Sequence, residues 1–219
     1  MTFMKGSRCE LRVLKAEDAF TFTRAVNAGL TTEHLFTGSI PMRDADYAAR
    51  WEAERKAGDI LFAVDADGKF IGTCGLHSHR DIYRSWEARF LIFDPEVVGK
   101  GIGKEVVKML TDYCFNRLNS NKCWLGCSAD NLRAVKCYLD CGYRLEGTLR
   151  QEIYYRGRYH DALRMSVLRS EWEDLQRMQK EVAAEELLQE QMRQAQLLQG
   201  MCQEERQGIQ KKIDGDVSK

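Results

Sequence analysis

The stretch VVGKGIGKE, residues 97 to 105, constrains this chain more than any other segment of its length. Glycines stand at 99, 101 and 103, with lysines at 100 and 104. Ahead of them, Tyr83 to Phe93 reads as a strand ended by Asp94-Pro95. Behind them, Ile102 to Leu118 is amphipathic at helical spacing, through Val106, Val107, Met109, Leu110, Tyr113, Cys114 and Leu118. The chain must therefore pass from strand to helix through a turn that relies on glycine's free dihedrals. Such a turn aims successive backbone N–H groups into one concavity at the positive end of a helix, which suits a phosphate. Two familiar phosphate loops do not fit. A P-loop needs GxxxxGK followed by Ser or Thr, and here Glu105 follows Lys104. A dinucleotide fingerprint is GxGxxG at the opening of a βαβ unit, whereas this is GxGxG behind a hairpin. Read alone, the glycines fit either a phosphate cradle or a tight strand-to-helix turn.

The flanking pattern defines an α/β (α+β) domain. Cys9 to Val13 reads as a strand, Lys15 to Ala28 as a helix, and Thr31 to Met42 as a loop. Asp44 to Lys56 is a second helix, with Asp44 expected as its cap. Ile60 to Val64 and Phe70 to Leu76 form a hairpin around Asp65-Ala66-Asp67-Gly68. After the long helix come a strand at Cys123 to Ser128 and a helix from Asn131 to Cys141 closed by Gly142. Two β segments follow, Tyr143 to Tyr155 and Arg158 to Leu168. The order is β-α-α-β-β-β-α-β-α-β-β, with a domain over 1–169 and a tail over 170–219.

The tail has its own composition. Ten glutamines lie between Gln176 and Gln210, and eleven acidic against seven basic residues give it a net charge of −4. Apolar residues recur mostly every three or four positions from Trp172 to Ile213, an imperfect heptad. A helix from 171 to about 210 would be ~60 Å long, more than a domain about 40 Å across can cover. It is expected to be a homodimerisation or docking helix, against the plainer reading of a solvated extension.

Composition narrows the classes. Lys plus Arg and Asp plus Glu both total 33 in 219 residues, so the net charge is zero and no bulk nucleic-acid binding is expected. No apolar run reaches the roughly 18 residues of a membrane span, and the N-terminus lacks a secretory signal. The expected compartment is cytoplasmic, where the eight cysteines are reduced thiols. The pairs Cys123/Cys127 and Cys137/Cys141 fall on a strand and a helix, and no CxxC pair or Cys/His quartet exists, so no metal is expected.

Three stretches give the glycines a context: WEARFLIFDPEVVGKGIGKEVVKML, ADNLRAVKCYLDCGYRLEG and YYRGRYHDALRMSVLRSEW. Together they resemble the GNAT superfamily of acetyl-CoA-dependent N-acetyltransferases over about residues 7 to 172. The resemblance implies a mixed, mostly antiparallel central sheet flanked by helices, here followed by a long C-terminal helical extension. It implies that coenzyme A is held by Leu91, Ile92, Phe93, Val98, Gly99, Lys100, Gly101, Ile102, Gly103, Lys104 and Asn131. The loop motif is Gln/Arg-x-x-Gly-x-Gly/Ala, which places Gly101 and Gly103 on the glycine positions and Val98 where Gln or Arg is usual. That departure removes one side-chain contact and leaves the backbone cradle. The second motif runs from Asn131 through Ala134 to Tyr138 and Gly142-Tyr143. It implies Tyr138 as the acid that protonates the leaving thiolate, a role a phenol suits. Glu87 falls on the position of the general base in one register, and Ala88 in the other.

The ending GRYHDALRMSVLRSEW resembles the branch that holds ribosomal-protein, polyamine and nucleotide-amino-sugar N-acetyltransferases. A small-molecule primary amine is the expected acceptor, with a nucleotide-linked amino sugar favoured. Its candidate contacts are His34, Phe36, Tyr154, Arg156, Arg158, Tyr159 and His160, with aromatic faces for rings and arginines for phosphates. Trp51 and Tyr155 lie in the same segments, while His77 and His79 read as structural or solvated histidines. Two other classes stay open: a peptide or protein N-terminal acetyltransferase, and a non-catalytic CoA-binding regulator or adaptor.

Overall fold

The computed structural model describes residues 2–28, 41–78, 81–155 and 157–216, with side chains given to 196 apart from that of 81. The chain divides into two compact units, 1–172 and 173–219. The first contains β1 (Thr2–Lys5), β2 (Glu10–Val13), α1 (Asp18–Asn27), α2 (Asp44–Lys56), β3 (Ile60–Ala66) and β4 (Lys69–Ser78). It continues with β5 (Ser85–Ile92), α3 (Ile102–Asp112), β6 (Lys122–Ser128), α4 (Leu132–Asp140), β7 (Arg144–Tyr155) and β8 (Arg158–Leu168). Helix α5 (Arg169–Asp216) begins here, burying Trp172 beside Phe115 with ring centroids 6.3 Å apart.

The eight strands form one sheet in the order β1-β2-β3-β4-β5-β6-β8-β7. Every neighbouring pair is antiparallel except β5 and β6. Leu61, Phe62, Ala63 and Val64 of β3 are all buried, as a central strand covered on both faces requires. Leu61 and Ala63 pack with Phe22, Val26, Tyr47 and Trp51 of α1 and α2. Phe62 turns to the opposite face and meets Phe3 and Tyr113 at 5.3 and 5.8 Å. Val106, Val107 and Leu110 of α3 are fully buried.

Local chemistry sets boundaries that the apolar pattern alone leaves loose. Helix α1 starts at Asp18, three residues later than expected, because the Asp18 carboxylate accepts the Lys15 N–H at 2.8 Å and both oxygens bind the Arg12 guanidinium. Arg12 also reaches Asp65 at 2.7 Å, tying β2, α1 and β3 at one point. Helix α2 has the expected range, but Asp44 is its first helical residue rather than its cap. The cap position is Arg43, whose N–H is accepted by the Asp46 carboxylate at 3.0 Å. The expected helix to Leu118 ends at Asp112 and passes into one π-type turn, Tyr113–Arg117. Arg169 holds that turn, donating to Ser120 O at 2.9 Å and to Phe115 O. Strand β1 adds an edge that the sequence reading did not include.

One feature of the sheet positions everything that follows. The parallel contact between β5 and β6 lasts only from Ser85 opposite Lys122 to Glu87 opposite Trp124. Beyond it β5 stays paired to β4 through Ile92, and β6 stays paired to β8 through Ser128. The sheet therefore opens into a wedge between Ala88–Ile92 and Leu125–Ser128. The second unit, taken by itself, is a helix with Met178, Val182, Leu187, Leu188 and Met192 each more than half exposed.

Candidate active site

A cleft of about 1650 Å³ occupies the wedge and runs from the glycine loop to residues of α2 and β7. Its floor is the open edge of β5. Alternate backbone groups of Ala88 to Ile92 point away from β4, and β6 no longer meets them. Such an edge can pair with an extended ligand as it would with a strand. The edge ends before Phe93, whose N–H is given to Ile71 O at 2.9 Å. The Phe93 ring is buried in the core, 6.1 Å from Phe22 and 5.2 Å from Phe70. Leu91 and Ile92 line the cleft.

At one end the loop turns twice through left-handed glycine, Gly99 at φ 81° and Gly101 at φ 82°, and Gly101 caps α3. Asp94 opens the turn by accepting the Glu96 N–H at 2.9 Å, and Lys69 holds its other oxygen at 3.1 Å. The N–H groups of Val98 and Lys100 bend back to Pro95 and Val97, both at 3.3 Å. Those of the first turn of α3, Ile102 to Lys104, have no partner within the helix and face the cleft end with its positive dipole. Nothing lies within 4 Å of where a Cβ on Gly99 would stand. Val98 and Lys100 are exposed, and Lys104 reaches Asp140 at 3.4 Å. The donors, the open glycine and the nearby Arg133 and Lys136 fit a phosphorylated, extended ligand.

Helix α4 forms the opposite wall. Asn131 caps it, its side-chain oxygen accepting the Ala134 N–H at 3.1 Å. Two turns later Tyr138 is 6% exposed and lies edge-on to Phe90 at 6.1 Å. Burial first, then the thiols of Cys127, Cys137 and Cys141, push its phenol well above the ordinary range, so it stays protonated at neutral pH. Tyr138 is thus a buried, protonated phenol beside the open strand.

The far end of the cleft, away from the glycine loop, carries charged side chains. Glu87 lines the cleft and takes the Arg89 guanidinium at 2.6 Å. Arg89 is held charged by that bond first, with burial opposing it, and then by the charges of Glu87, Glu54 and Asp59. Ala88 also lines the cleft and is buried. Across β4, His77 pairs with Asp59 at 2.7 Å. Helix α2 adds Tyr47, Trp51 and the Arg50–Glu54 pair at 2.9 Å. The Tyr47 hydroxyl is buried without a partner among the described residues. On β7 an irregularity sets Leu149 opposite Ala162 but Ile153 opposite His160. Gln151 there has φ 53°, and its N–H meets Asp161 at 2.8 Å. The bulge gives the cleft Glu152 and Tyr155.

The expected acceptor contacts are spread out. His34, Phe36 and Arg156 lie outside the described residues, as does His79. Tyr154 and Tyr159 are 61% and 64% exposed and pack on each other at 5.1 Å. His160 points to the β6–α4 loop, Nδ1 donating to Asp130 and Nε2 accepting from Arg158 at 3.3 Å. Sequence reasoning missed Tyr47, Arg50, Glu54, Arg89 and Glu152. The i,i+4 spacing of Arg50 and Glu54 marked an ion pair, but nothing local showed that α2 borders a cleft.

Among the described residues no group of three His, Cys, Asp or Glu could hold a metal ion, and no helix is long and apolar enough to cross a membrane. A family model described as the acetyltransferase (GNAT) domain matches residues 8–144. The spermidine N(1)-acetyltransferase of Vibrio cholerae is 37% identical over 108 residues, 49% of this chain and 62% of that protein. The spermidine N(1)-acetyltransferase of Escherichia coli K12 is 32% identical over 111 residues, 51% of this chain and 59% of that protein. These matches therefore span about three fifths of either relative's length. The crystal structure of the V. cholerae spermidine N-acetyltransferase in complex with CoA and spermine superposes with a TM-score of 0.67 at 30% identity, covering 76% of this chain and 99% of that one. A probable acetyltransferase at 23% identity superposes with a TM-score of 0.71, which supports the fold. With its family match falling on the strands, the loop and the helix that build the cleft, this chain belongs to the GNAT acetyltransferase family.

Proposed function

We propose that this protein is an acetyl-CoA-dependent N-acetyltransferase that acetylates a primary amine of a small polyamine-like cation by direct transfer. The observation that carries the reading is the wedge itself: one open strand edge with a phosphate-type loop at one end and a buried phenol and carboxylates at the other. When bound, acetyl-CoA supplies an activated acyl carbon with a thiolate leaving group.

The chain's own groups divide the remaining work. The α3 turn holds the pyrophosphate through backbone N–H groups. The edge of β5, Ala88 to Ile92, orients the pantetheine amides and offers an N–H to the carbonyl oxygen as negative charge develops there. Glu87 takes the proton of the incoming ammonium, directly or through one water, so that a neutral amine attacks. Tyr138 Oη gives its proton to the departing sulfur.

The acceptor class rests on the acidic lining and on the relatives. Glu54, Glu87, Asp130 and Glu152 line the cleft beside the aromatic Tyr47, Trp51 and Tyr155, with Glu54 and Glu87 paired to Arg50 and Arg89. Carboxylates and aromatic faces suit a flexible polycation. The related V. cholerae structure was determined with CoA and spermine. A nucleotide-linked amino sugar would draw on the cleft arginines, of which Arg50 and Arg89 are already paired with Glu54 and Glu87.

An acceptor panel read by thiol release from acetyl-CoA tests the proposal. Spermidine and spermine should give the highest kcat/KM, above N-terminal peptides and a UDP-amino sugar. A preferred peptide or sugar acceptor would overturn the acceptor class. No turnover with any amine, while CoA still raises Tm, would overturn the enzyme reading in favour of a CoA-binding regulator.

A further inference from the structure

The turn between β1 and β2 is clamped to the start of α3. The Glu105 carboxylate accepts the N–H groups of Ser7, Arg8 and Cys9 at 2.7, 2.9 and 3.0 Å, and the Ser7 hydroxyl at 2.7 Å. Gly6 leaves room for it, since a Cβ at that position would lie 2.5 Å from the Glu105 carboxyl carbon. The clamp lays the Arg8 guanidinium on the glycine loop. Its Nη1 lies 2.9 Å, and its Cζ 3.5 Å, from where a Cβ on Gly101 would stand.

This is an odd place for a cation. Gly101 caps α3, so Arg8 sits at the positive end of a helix, where positive charge is disfavoured. The Glu105 carboxylate is already engaged by the turn's donors. No hydrogen bond or ion pair to the Arg8 side chain is found among the described residues. Meanwhile the loop beside it has no hydrogen-bonding side chain of its own at Val98, which is 41% exposed. A guanidinium lying over a left-handed glycine, with its donors unspent, is placed to meet an anion approaching the same loop.

We propose that Arg8 is a cofactor-binding residue: reaching from the β1–β2 turn, its guanidinium grips the pyrophosphate of coenzyme A against the start of α3 and supplies the side-chain donor that Val98 does not. The proposal rests on the reading that coenzyme A occupies the cleft. The clamp gives each part a role. Glu105 and Gly6 position the turn, the turn positions Arg8, and Arg8 completes a cradle whose other donors are backbone N–H groups.

The test uses full-length Arg8→Ala and Arg8→Lys with three donors: acetyl-CoA, 3′-dephospho-acetyl-CoA and acetyl-pantetheine, which has no phosphate. In the wild type, kcat/KM should be much higher for the first two than for the third. In Arg8→Ala that preference should fall about tenfold for both, and in Arg8→Lys by less, because an ammonium keeps the charge without the fork. The rise in Tm on adding CoA, 3′-dephospho-CoA or pantetheine gives the same comparison without turnover. An unchanged preference in Arg8→Ala overturns the proposal, as does an equal loss for all three donors, which marks a purely structural role. A loss confined to acetyl-CoA assigns Arg8 to the 3′-phosphate and overturns the pyrophosphate assignment. A wild type that does not distinguish acetyl-CoA from acetyl-pantetheine overturns the underlying cradle reading, and Arg8 with it.

Discussion

Replacing Glu105 by glutamine should destabilise the domain by an amount that depends on pH in one direction only. Burial of the carboxylate opposes its charge, but the Ser7 hydroxyl and the N–H groups of Arg8 and Ser7, joined by the Cys9 thiol, outweigh it and hold the group at about 2. At 1.36 kcal/mol per pH unit, a fall from 4.5 to about 2 corresponds to about 3.4 kcal/mol. Water reaches this turn and screens it, so about 2 kcal/mol is the working figure. That predicts a Tm lower by about 4–8 °C in Glu105→Gln at pH 7, for a domain of this size. The folded value is depressed, so the contribution is fully present above pH 4.5 and is lost as pH falls toward 2. Urea unfolding of both proteins at pH 7, 5, 4 and 3 isolates it, because every other acid-sensitive group is shared and cancels in the difference. The gap should be constant from pH 7 to 5 and narrow at 4 and 3. A gap as wide at pH 3 as at pH 7 would refute the idea that an ionised carboxylate gathers the turn.

Other outcomes follow from single contacts. Tyr138→Phe should lower kcat by about a hundredfold and leave CoA affinity, read by calorimetry, near the wild type; an unchanged kcat removes Tyr138 from the acid role. Gly72→Ala should cost about 3 kcal/mol in urea unfolding, because a Cβ there would lie 2.2 Å from Leu91 O in the strand that floors the cleft. Tyr47→Phe should leave stability unchanged or raise it by about 1 kcal/mol, since its hydroxyl has no partner among the described residues; a clear loss would show a partner. Deleting 175–219 should turn a dimer into a monomer, read as copies per particle by light scattering, if the exposed Met178–Met192 face joins two copies; an unchanged number of copies ends that reading.

Much of the architecture could be read from periodicity, because apolar spacing reports burial directly. Helix α2 and strand β8 keep the expected ranges, and the remaining elements differ by a few residues at their ends. Those differences come from side chains that bind backbone at a boundary, as Asp18 does for Lys15 and Arg169 for Phe115. Hydropathy does not encode such bonds. Strand β1 escaped notice because TFMK is too short to show an alternation. The loop and the α4 wall were legible from Gly99, Gly101, Asn131 and Tyr138, which are close in sequence to the elements they cap or line. The acceptor end was not. Arg89, Glu54 and Glu152 come from three elements, and one of them depends on a bulge at Gln151 that no spacing rule announces. Arg8 is ninety residues from the loop it touches, and only the Glu105 clamp reveals the neighbourhood.

The short parallel contact of β5 and β6 has a consequence for colloidal behaviour. A sheet that splits in its middle owns two inner edges besides its two outer ones, and unpaired edges invite foreign strands. Here the β5 edge is enclosed: it lies at the bottom of a cleft, with β6 and α4 on one side and the glycine loop at its end. A narrow unbranched ligand can enter, whereas a second polypeptide with side chains on both faces is obstructed. The same gap thus selects against self-association while leaving its backbone groups in want of a partner. The alternate amides of Ala88 to Ile92 that point away from β4 should therefore exchange with solvent faster than those of β3 until a thin ligand fills the gap, and slow sharply when it does.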